Sequence, residues 1–183
     1  MKWLPHLLLL AAAWALAFLP CAMDWPQRWL GAQVSFLPPL MVYAALNCGP
    51  GWLALLALAG GLGADALSCN PPGSTSVPLL LIGMAVLRHR EVILRKETFA
   101  QVTLGLAASA AAPLLQVLLL LTFGYDPLVG WASLWPWLFM AVAGGAMTPL
   151  LFRALDRLLG AVTYPAAGPG GFAPEREIVR GRY

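Results

Sequence analysis

Six apolar stretches alternate with short polar or charged turns along this chain of 183 residues. Such stretches are typical of helices that cross a bilayer, for which roughly 17–25 residues are needed. We therefore predict an all-α, polytopic membrane protein with about six transmembrane helices. The predicted spans cover residues 3–20, 34–46, 52–67, 77–87, 98–123 and 134–152.

Two of the predicted spans depart from a simple apolar helix. Pro38 and Pro39 lie in the second span and remove two backbone donors, so this helix is either broken or begins at the pair. The fourth span is short and can begin near Gly73 as a partly unwound entry. Between the first two spans, the tryptophans and charges of residues 23–33 suit a short helix lying flat at the membrane–water interface.

The composition agrees with a membrane domain, because 60% of the residues are hydrophobic and only 10% are charged. Soluble domains carry about 25% charged residues. We predict one six-helix membrane domain over residues 1–159. A Gly- and Pro-rich segment, residues 160–183, follows it and is expected to be a flexible cytoplasmic tail.

Motifs that carry chemistry are missing from the sequence. It has no nucleotide-binding loop, zinc motif or nucleophile elbow. Its three cysteines share no metal-ligand spacing and fit small apolar positions near helix ends; they are Cys21, Cys48 and Cys69. We therefore expect no enzymatic activity, catalytic residue, cofactor, metal site or nucleic-acid partner.

Basic residues indicate the orientation of the chain. With six spans, Lys2, the loop of residues 88–97 and the Arg153/Arg157 pair all fall on one side, which is then cytoplasmic. Both termini are predicted on that side. The loop can contact anionic lipid headgroups, dock a cytoplasmic partner or serve only as an orientation signal. Its basic residues are Arg88, Arg90, Arg95 and Lys96.

Asp65 is the one acid set deep in apolar sequence, where an ionisable group is costly without a partner or a function. It has three possible roles. It can be a proton or cation site, hydrogen-bond the entry of the next helix through residues 74–76, or pair with Arg28. A structural role is favoured, because a lone acid without a second buried carboxylate or histidine is a poor proton relay.

The glycines before Asp65 predict close helix packing. Gly60 and Gly63 each lie four residues from an alanine, and Gly61 lies four residues before Asp65. Small residues at this spacing let another helix backbone approach. The following Asn70–Ser74 segment has turn chemistry at each step, which predicts a rigid reversal between the third and fourth spans.

These residues resemble the pattern of the MreD family of rod-shape-determining membrane proteins. That pattern is a glycine-containing apolar helix with an Asp, then a small residue, a short Gly turn and a further apolar helix. The resemblance covers about residues 30–155, and the Pro71–Pro72 pair and the Gly/Pro-rich tail depart from it. The matching positions are Gly60, Gly61, Gly63, Asp65, Ser68 and Gly73, and Pro72 of the turn is a further candidate for a structural or partner-binding role.

The resemblance implies a non-catalytic scaffold in the cell inner membrane, within the complex that elongates the cell. Its implied partners are MreC, the MreB filament, the peptidoglycan synthases and membrane lipids. It would help to couple the MreB cytoskeleton to peptidoglycan synthesis. The family's fold is similar to that of substrate-binding subunits of energy-coupling vitamin transporters. The alternative function is therefore a small-molecule-binding membrane subunit of such a transporter.

Overall fold

The computed structural model describes residues 4–22, 35–68, 70–91, 97–125 and 130–163, and all regular structure in these ranges is helical. The predicted all-α class is confirmed for this part of the chain. A short 3-10 turn, Trp131–Ser133, precedes the last helix. The α-helices are α1 (Leu4–Ala22), α2 (Leu37–Asn47), α3 (Pro50–Ser68), α4 (Ser76–Arg88), α5 (Thr98–Thr122) and α6 (Leu134–Thr163).

Membrane-type helices dominate the fold. Among the described residues, three segments are long and apolar enough to cross a membrane, namely α3, α5 and residues Leu134–Gly160 of α6. Two shorter apolar segments, Leu4–Pro20 and Ser76–Arg88, lie in α1 and α4. The membrane-type character of the chain is thus confirmed, and the count of six spans stays a prediction. The predicted surface helix at residues 23–33 lies outside the described residues.

Helix α2 forms the centre of the bundle. Its residues Leu37–Ala45 are all buried, and it contacts each of the other five helices. A helix that is apolar on every side must be shielded from water, and here the neighbouring helices shield it. Pro38 and Pro39 lie in its first turn, where the missing N–H groups would have no intrahelical partner. The helix therefore begins at the proline pair and is not broken by it.

Helix α6 extends beyond its predicted end at residue 152 and reaches Thr163, inside the segment that we predicted as a tail. The charged residues that suggested an end, such as Arg153 and Arg157, lie on its exposed side. Phe152 and Leu155 continue the buried side against the core. Residues 164–183 of the predicted tail lie outside the described part of the chain.

The two longest helices, α5 and α6, pack closely through small residues. A Cβ atom added to Gly105 would overlap the Thr148 side chain, and one added to Gly144 would overlap Ser109. Each helix thus offers a glycine and a small hydroxyl residue four positions apart, a spacing that favours close backbone approach. The Trp137 indole N–H also donates to the Ala110 carbonyl at 2.9 Å.

A buried tyrosine links α2 to α6. The Tyr43 hydroxyl donates to Asp156 Oδ1 at 2.7 Å, and its ring meets Phe152 edge to face with centroids 4.9 Å apart. Tyr43 is only 1% exposed, so its hydroxyl would be costly to bury without a partner.

Replacement of Tyr43 by phenylalanine tests this link. We expect Tyr43→Phe to lower the free energy of unfolding by about 1 kcal/mol, because it removes one partly buried hydrogen bond and keeps the ring contact. Chemical denaturation in detergent would measure the change. Tyr125→Phe is the matched control, since Tyr125 is 54% exposed after α5. Equal stability of the two variants would contradict the prediction.

Candidate functional site

The carboxylate of Asp65 holds the turn that leads into α4. Asp65 lies in α3 and is only 1% exposed. Its Oδ2 accepts a hydrogen bond from the Gly73 amide at 2.8 Å. Its Oδ1 accepts from the Ser74 hydroxyl and from the Thr75 amide, each at 3.0 Å. Both carboxylate oxygens are therefore engaged by donors of the same short segment.

This arrangement places an acid from α3 at the amino end of α4. Thr75 is the N-cap residue of α4, but its own side chain forms no capping hydrogen bond. The first N–H groups of a helix need acceptors from elsewhere, and a negative charge there is favoured by the helix dipole. Asp65 meets part of this need from a neighbouring helix.

The geometry decides among the three sequence-based interpretations of Asp65 as far as the described residues reach. Asp65 hydrogen-bonds the entry of the next helix through Ser74 and Thr75, as one interpretation predicted, whereas Ser76 is not a partner. Arg28, the proposed ion-pair partner, lies outside the described residues. A carboxylate with both oxygens engaged by its own chain is typical of a structural role.

The turn itself uses proline and glycine at the positions that suit them. The Ser74 amide donates to the Pro71 carbonyl at 3.1 Å and closes the reversal. Pro72 and Gly73 occupy its two central positions, as proline and glycine do in a type II turn. Gly73 has a φ of +97°, a conformation that residues with a Cβ rarely adopt.

The three glycines of α3 contact different neighbours. Gly61 lies against the start of α4, where an added Cβ would be 2.5 Å from the Ser76 Cα. At Gly60 the nearest atom to an added Cβ belongs to Leu37 of α2, at 3.2 Å. At Gly63 only the Ala17 Cβ of α1 lies within reach, at 4.0 Å. Gly61 is thus the glycine that the Asp65 junction requires.

The basic loop is not brought to this site. Arg88 ends α4 and Arg90 follows it, and both are exposed. They lie at the other end of α4 from Thr75, and a helix of 13 residues is about 20 Å long. Arg95 and Lys96 lie outside the described residues.

A cleft opens beside the Asp65 turn, at the end of the bundle where α3 finishes and α4 begins. Its main cavity has a volume of about 350 Å³, within the usual range for ligand pockets. A smaller cavity of about 50 Å³ adjoins it, since Ser35, Thr75, Gln116 and Met140 line both. We refer to the two cavities together as the cleft.

Sequence reasoning missed the central residue of this cleft and only partly anticipated its lining. Ser68, predicted as part of the Asp65 motif, is exposed and lines the main cavity with Asn70. Gln116 was not predicted. The signal was present, because Gln116 is an amide within the apolar helix α5, but the polar groups predicted for a pocket all lay in or next to the turn after α3.

The described residues contain no group of three or more His, Cys, Asp or Glu side chains that could hold a metal ion. Fold and site together define an all-helical protein with membrane-type helices, an acid-held helix junction and a neighbouring cleft. In comparisons with protein-family models, curated proteins and solved structures, this chain has no match.

Proposed function

We propose that the protein is a non-catalytic scaffold of the cell inner membrane, acting in the cell-elongation complex as MreD-family proteins do. It spans the membrane six times with both termini in the cytoplasm. It binds MreC and helps to couple the MreB cytoskeleton to the peptidoglycan synthases. The resemblance over residues 30–155 supplies this specific assignment.

The observation that carries a scaffold role is the engagement of Asp65. A carboxylate that served turnover would need an open position for a proton, an ion or a substrate. Here the amides of Gly73 and Thr75 and the hydroxyl of Ser74 converge on it. The most unusual residue of the apolar sequence thus stabilises architecture, which is what a scaffold requires.

The relative directions of the helices are compatible with the alternation that the proposed spans require. His6 near the start of α1 stacks on Trp52 near the start of α3, with ring centroids 4.5 Å apart. Asp65 meets Thr75 at the opposite end. The α5–α6 contacts are antiparallel, since Gly105 pairs with Thr148 and the later Ser109 pairs with the earlier Gly144. This alternation agrees with an even number of spans.

Helix α5 offers surface for a partner helix or lipid. In an apolar stretch of 18 residues within α5, only 17% of the stretch is buried, against 39% of the corresponding stretch of α3. Leu114, Leu118 and Leu121 are each more than half exposed. Shape and small residues govern helix association in lipid, so this broad apolar side can accept a transmembrane helix.

An affinity pull-down of the tagged, detergent-solubilised protein, read by mass spectrometry, tests the proposal. We expect recovery of MreC and peptidoglycan synthases. A photo-crosslinking residue placed at Leu118 on α5 should capture a partner more efficiently than one at Leu62 on α3, which is 45% exposed. Absence of MreC and of the synthases from the recovered proteins would overturn the scaffold assignment.

One observation favours the second candidate, a small-molecule-binding membrane subunit of an energy-coupling vitamin transporter. Such a subunit needs a polar pocket at one end of its bundle, and the cleft beside the Asp65 turn has that position. The same pull-down separates the two functions. Recovery of an ATPase pair with a transmembrane coupling subunit would favour the transporter function over the scaffold function.

A further inference from the structure

The cleft has a polar lining without charge among the described residues. Its polar side chains are the hydroxyls of Ser35, Ser68, Thr75 and Ser109 and the amides of Asn70 and Gln116. Apolar atoms from α1, α2 and α6 complete the wall. Bringing a charged ligand group out of water into such a site would be costly, whereas hydroxyl groups could exchange hydrogen bonds with the wall.

One residue of the cleft wall has a buried hydroxyl without a partner among the described residues. Ser109 lines the smaller cavity and is only 4% exposed, and its hydroxyl has no hydrogen-bond partner. Buried polar side chains are usually hydrogen-bonded, so an exception needs a physical explanation. Its oxygen is packed against Gly144 of α6, so Ser109 adds a buried polar group beside the cleft at the α5–α6 contact.

Pro113 interrupts the regular hydrogen bonding of α5 at the same place. It lies inside α5 and lines the smaller cavity. Because proline has no N–H, the carbonyl of Ser109, four residues earlier, lacks its regular helix donor. Breaks of this kind in apolar helices are tolerated where the freed group faces a cavity or another partner.

Gln116 lies one turn further along α5 and lines both cavities. Its amide is half-buried in an apolar helix, a costly place for a polar group that has no function. Gln116 is therefore the amide residue of α5 that both cavities share.

We infer that the cleft is a binding site for an uncharged, hydroxyl-bearing group, supplied either by a free polyol-type molecule or by the headgroup of a neutral lipid. The polar side chains shared by both cavities, which are Ser35, Thr75 and Gln116, hydrogen-bond the hydroxyls, and the apolar wall accommodates the rest of the molecule. The inference goes beyond the scaffold function and does not depend on it.

Protection of an engineered cysteine tests the inference in phospholipid nanodiscs. Ala112 lines the smaller cavity, so Ala112→Cys should react with a water-soluble maleimide through the cleft. Leu114→Cys, on the exposed side of α5, is the control outside the cleft. The background protein has alanine in place of its native cysteines, which are Cys21, Cys48 and Cys69.

Two probes distinguish the sources of the ligand. Protection of Cys at position 112 by monooleoylglycerol alone would indicate a lipid headgroup, and protection by myo-inositol would indicate a free molecule. Gln116→Leu should raise the concentration needed for protection about tenfold, as expected for one lost hydrogen bond of roughly 1.4 kcal/mol. Thr103→Val is the matched control on α5, because the Thr103 hydroxyl bonds only its own helix, to Phe99 and Ala100.

The inference would be overturned if neither probe slowed labelling at position 112, or if Gln116→Leu and Thr103→Val had equal effects. Absence of labelling at position 112 would also overturn it, because the cleft would then be closed to water. The cysteine-free protein is used in the pull-down as well. Recovery of MreC without probe protection would reject the ligand site alone, and the reverse result would reject the scaffold function alone.

Discussion

Replacing Asp65 by alanine is expected to lower the free energy of unfolding by about 3–5 kcal/mol. The change leaves the Gly73 and Thr75 amides and the Ser74 hydroxyl without their acceptor. A buried group that loses its partner costs about 1–3 kcal/mol, and rearrangement of the turn recovers part of that cost. We expect recovery of partner proteins to fall in parallel, since the junction between α3 and α4 loosens.

Denaturation in detergent, followed by circular dichroism, would measure the change at Asp65. The free energy of unfolding of Asp65→Asn should lie between those of Asp65→Ala and the native protein. Asparagine keeps one acceptor oxygen but places an NH₂ group against amide donors. Glu91→Ala is the matched control, since Glu91 is an exposed acid just after α4. If Asp65→Ala were as stable as Glu91→Ala and recovered partners normally, the structural role of Asp65 would be rejected.

Hydropathy predicted where the described helices lie because each contains a long apolar segment, but it placed the end of α6 too early, at the charged residues after Phe152. The proline pair even marked the start of α2, where proline is tolerated. Hydropathy did not predict that α2 is enclosed by the other five helices. Every helix here is apolar, so the sequence contrast that separates buried from exposed sides in a soluble protein is weak. Which helix is central depends on how all six pack.

The candidate site was predictable only where its parts are close in sequence. Asp65 and its partners are separated by eight to ten residues, so a turn was enough to suggest their contact. The cleft joins Asn70 to Gln116 and Met140, which come from α5 and α6. No pattern among neighbouring residues in the sequence predicts that these three residues line one cleft. The α5–α6 contact was detectable in principle, because Gly105/Ser109 and Gly144/Thr148 share the spacing that drew attention to α3.

Replacing Gly61 by alanine is expected to destabilise the protein by more than about 3 kcal/mol. The added Cβ would be 2.5 Å from the Ser76 Cα and 2.7 Å from its backbone nitrogen, so a rotamer change cannot relieve the overlap. Overpacking alone costs about 1–3 kcal/mol. Here it would also move the start of α4 away from Asp65 and weaken the hydrogen bonds to Gly73 and Thr75.

Gly63→Ala, two residues along the same helix, is the matched control and should not lower the free energy of unfolding. Its Cβ would meet only the Ala17 Cβ, at 4.0 Å, an ordinary contact. Alanine is favoured over glycine inside a helix by about 1 kcal/mol, so this variant should be neutral or slightly more stable. Helix propensity alone would predict that Gly61→Ala is stabilising as well. The two positions differ because the backbone of α4 lies close to Gly61 and, among the described residues, no backbone of a neighbouring helix lies close to Gly63.

Combining the two largest changes tests whether Gly61 and Asp65 support one junction. Once Asp65→Ala has released the start of α4, the overlap at position 61 should cost less, because α4 can move away. The double variant should therefore be more stable than the sum of the single losses predicts, by at least about 1 kcal/mol. Unfolding free energies of the four proteins in the cycle would measure this difference. Simple additivity would show that the glycine and the acid act on α4 independently, and that Asp65 does not hold α4 against Gly61.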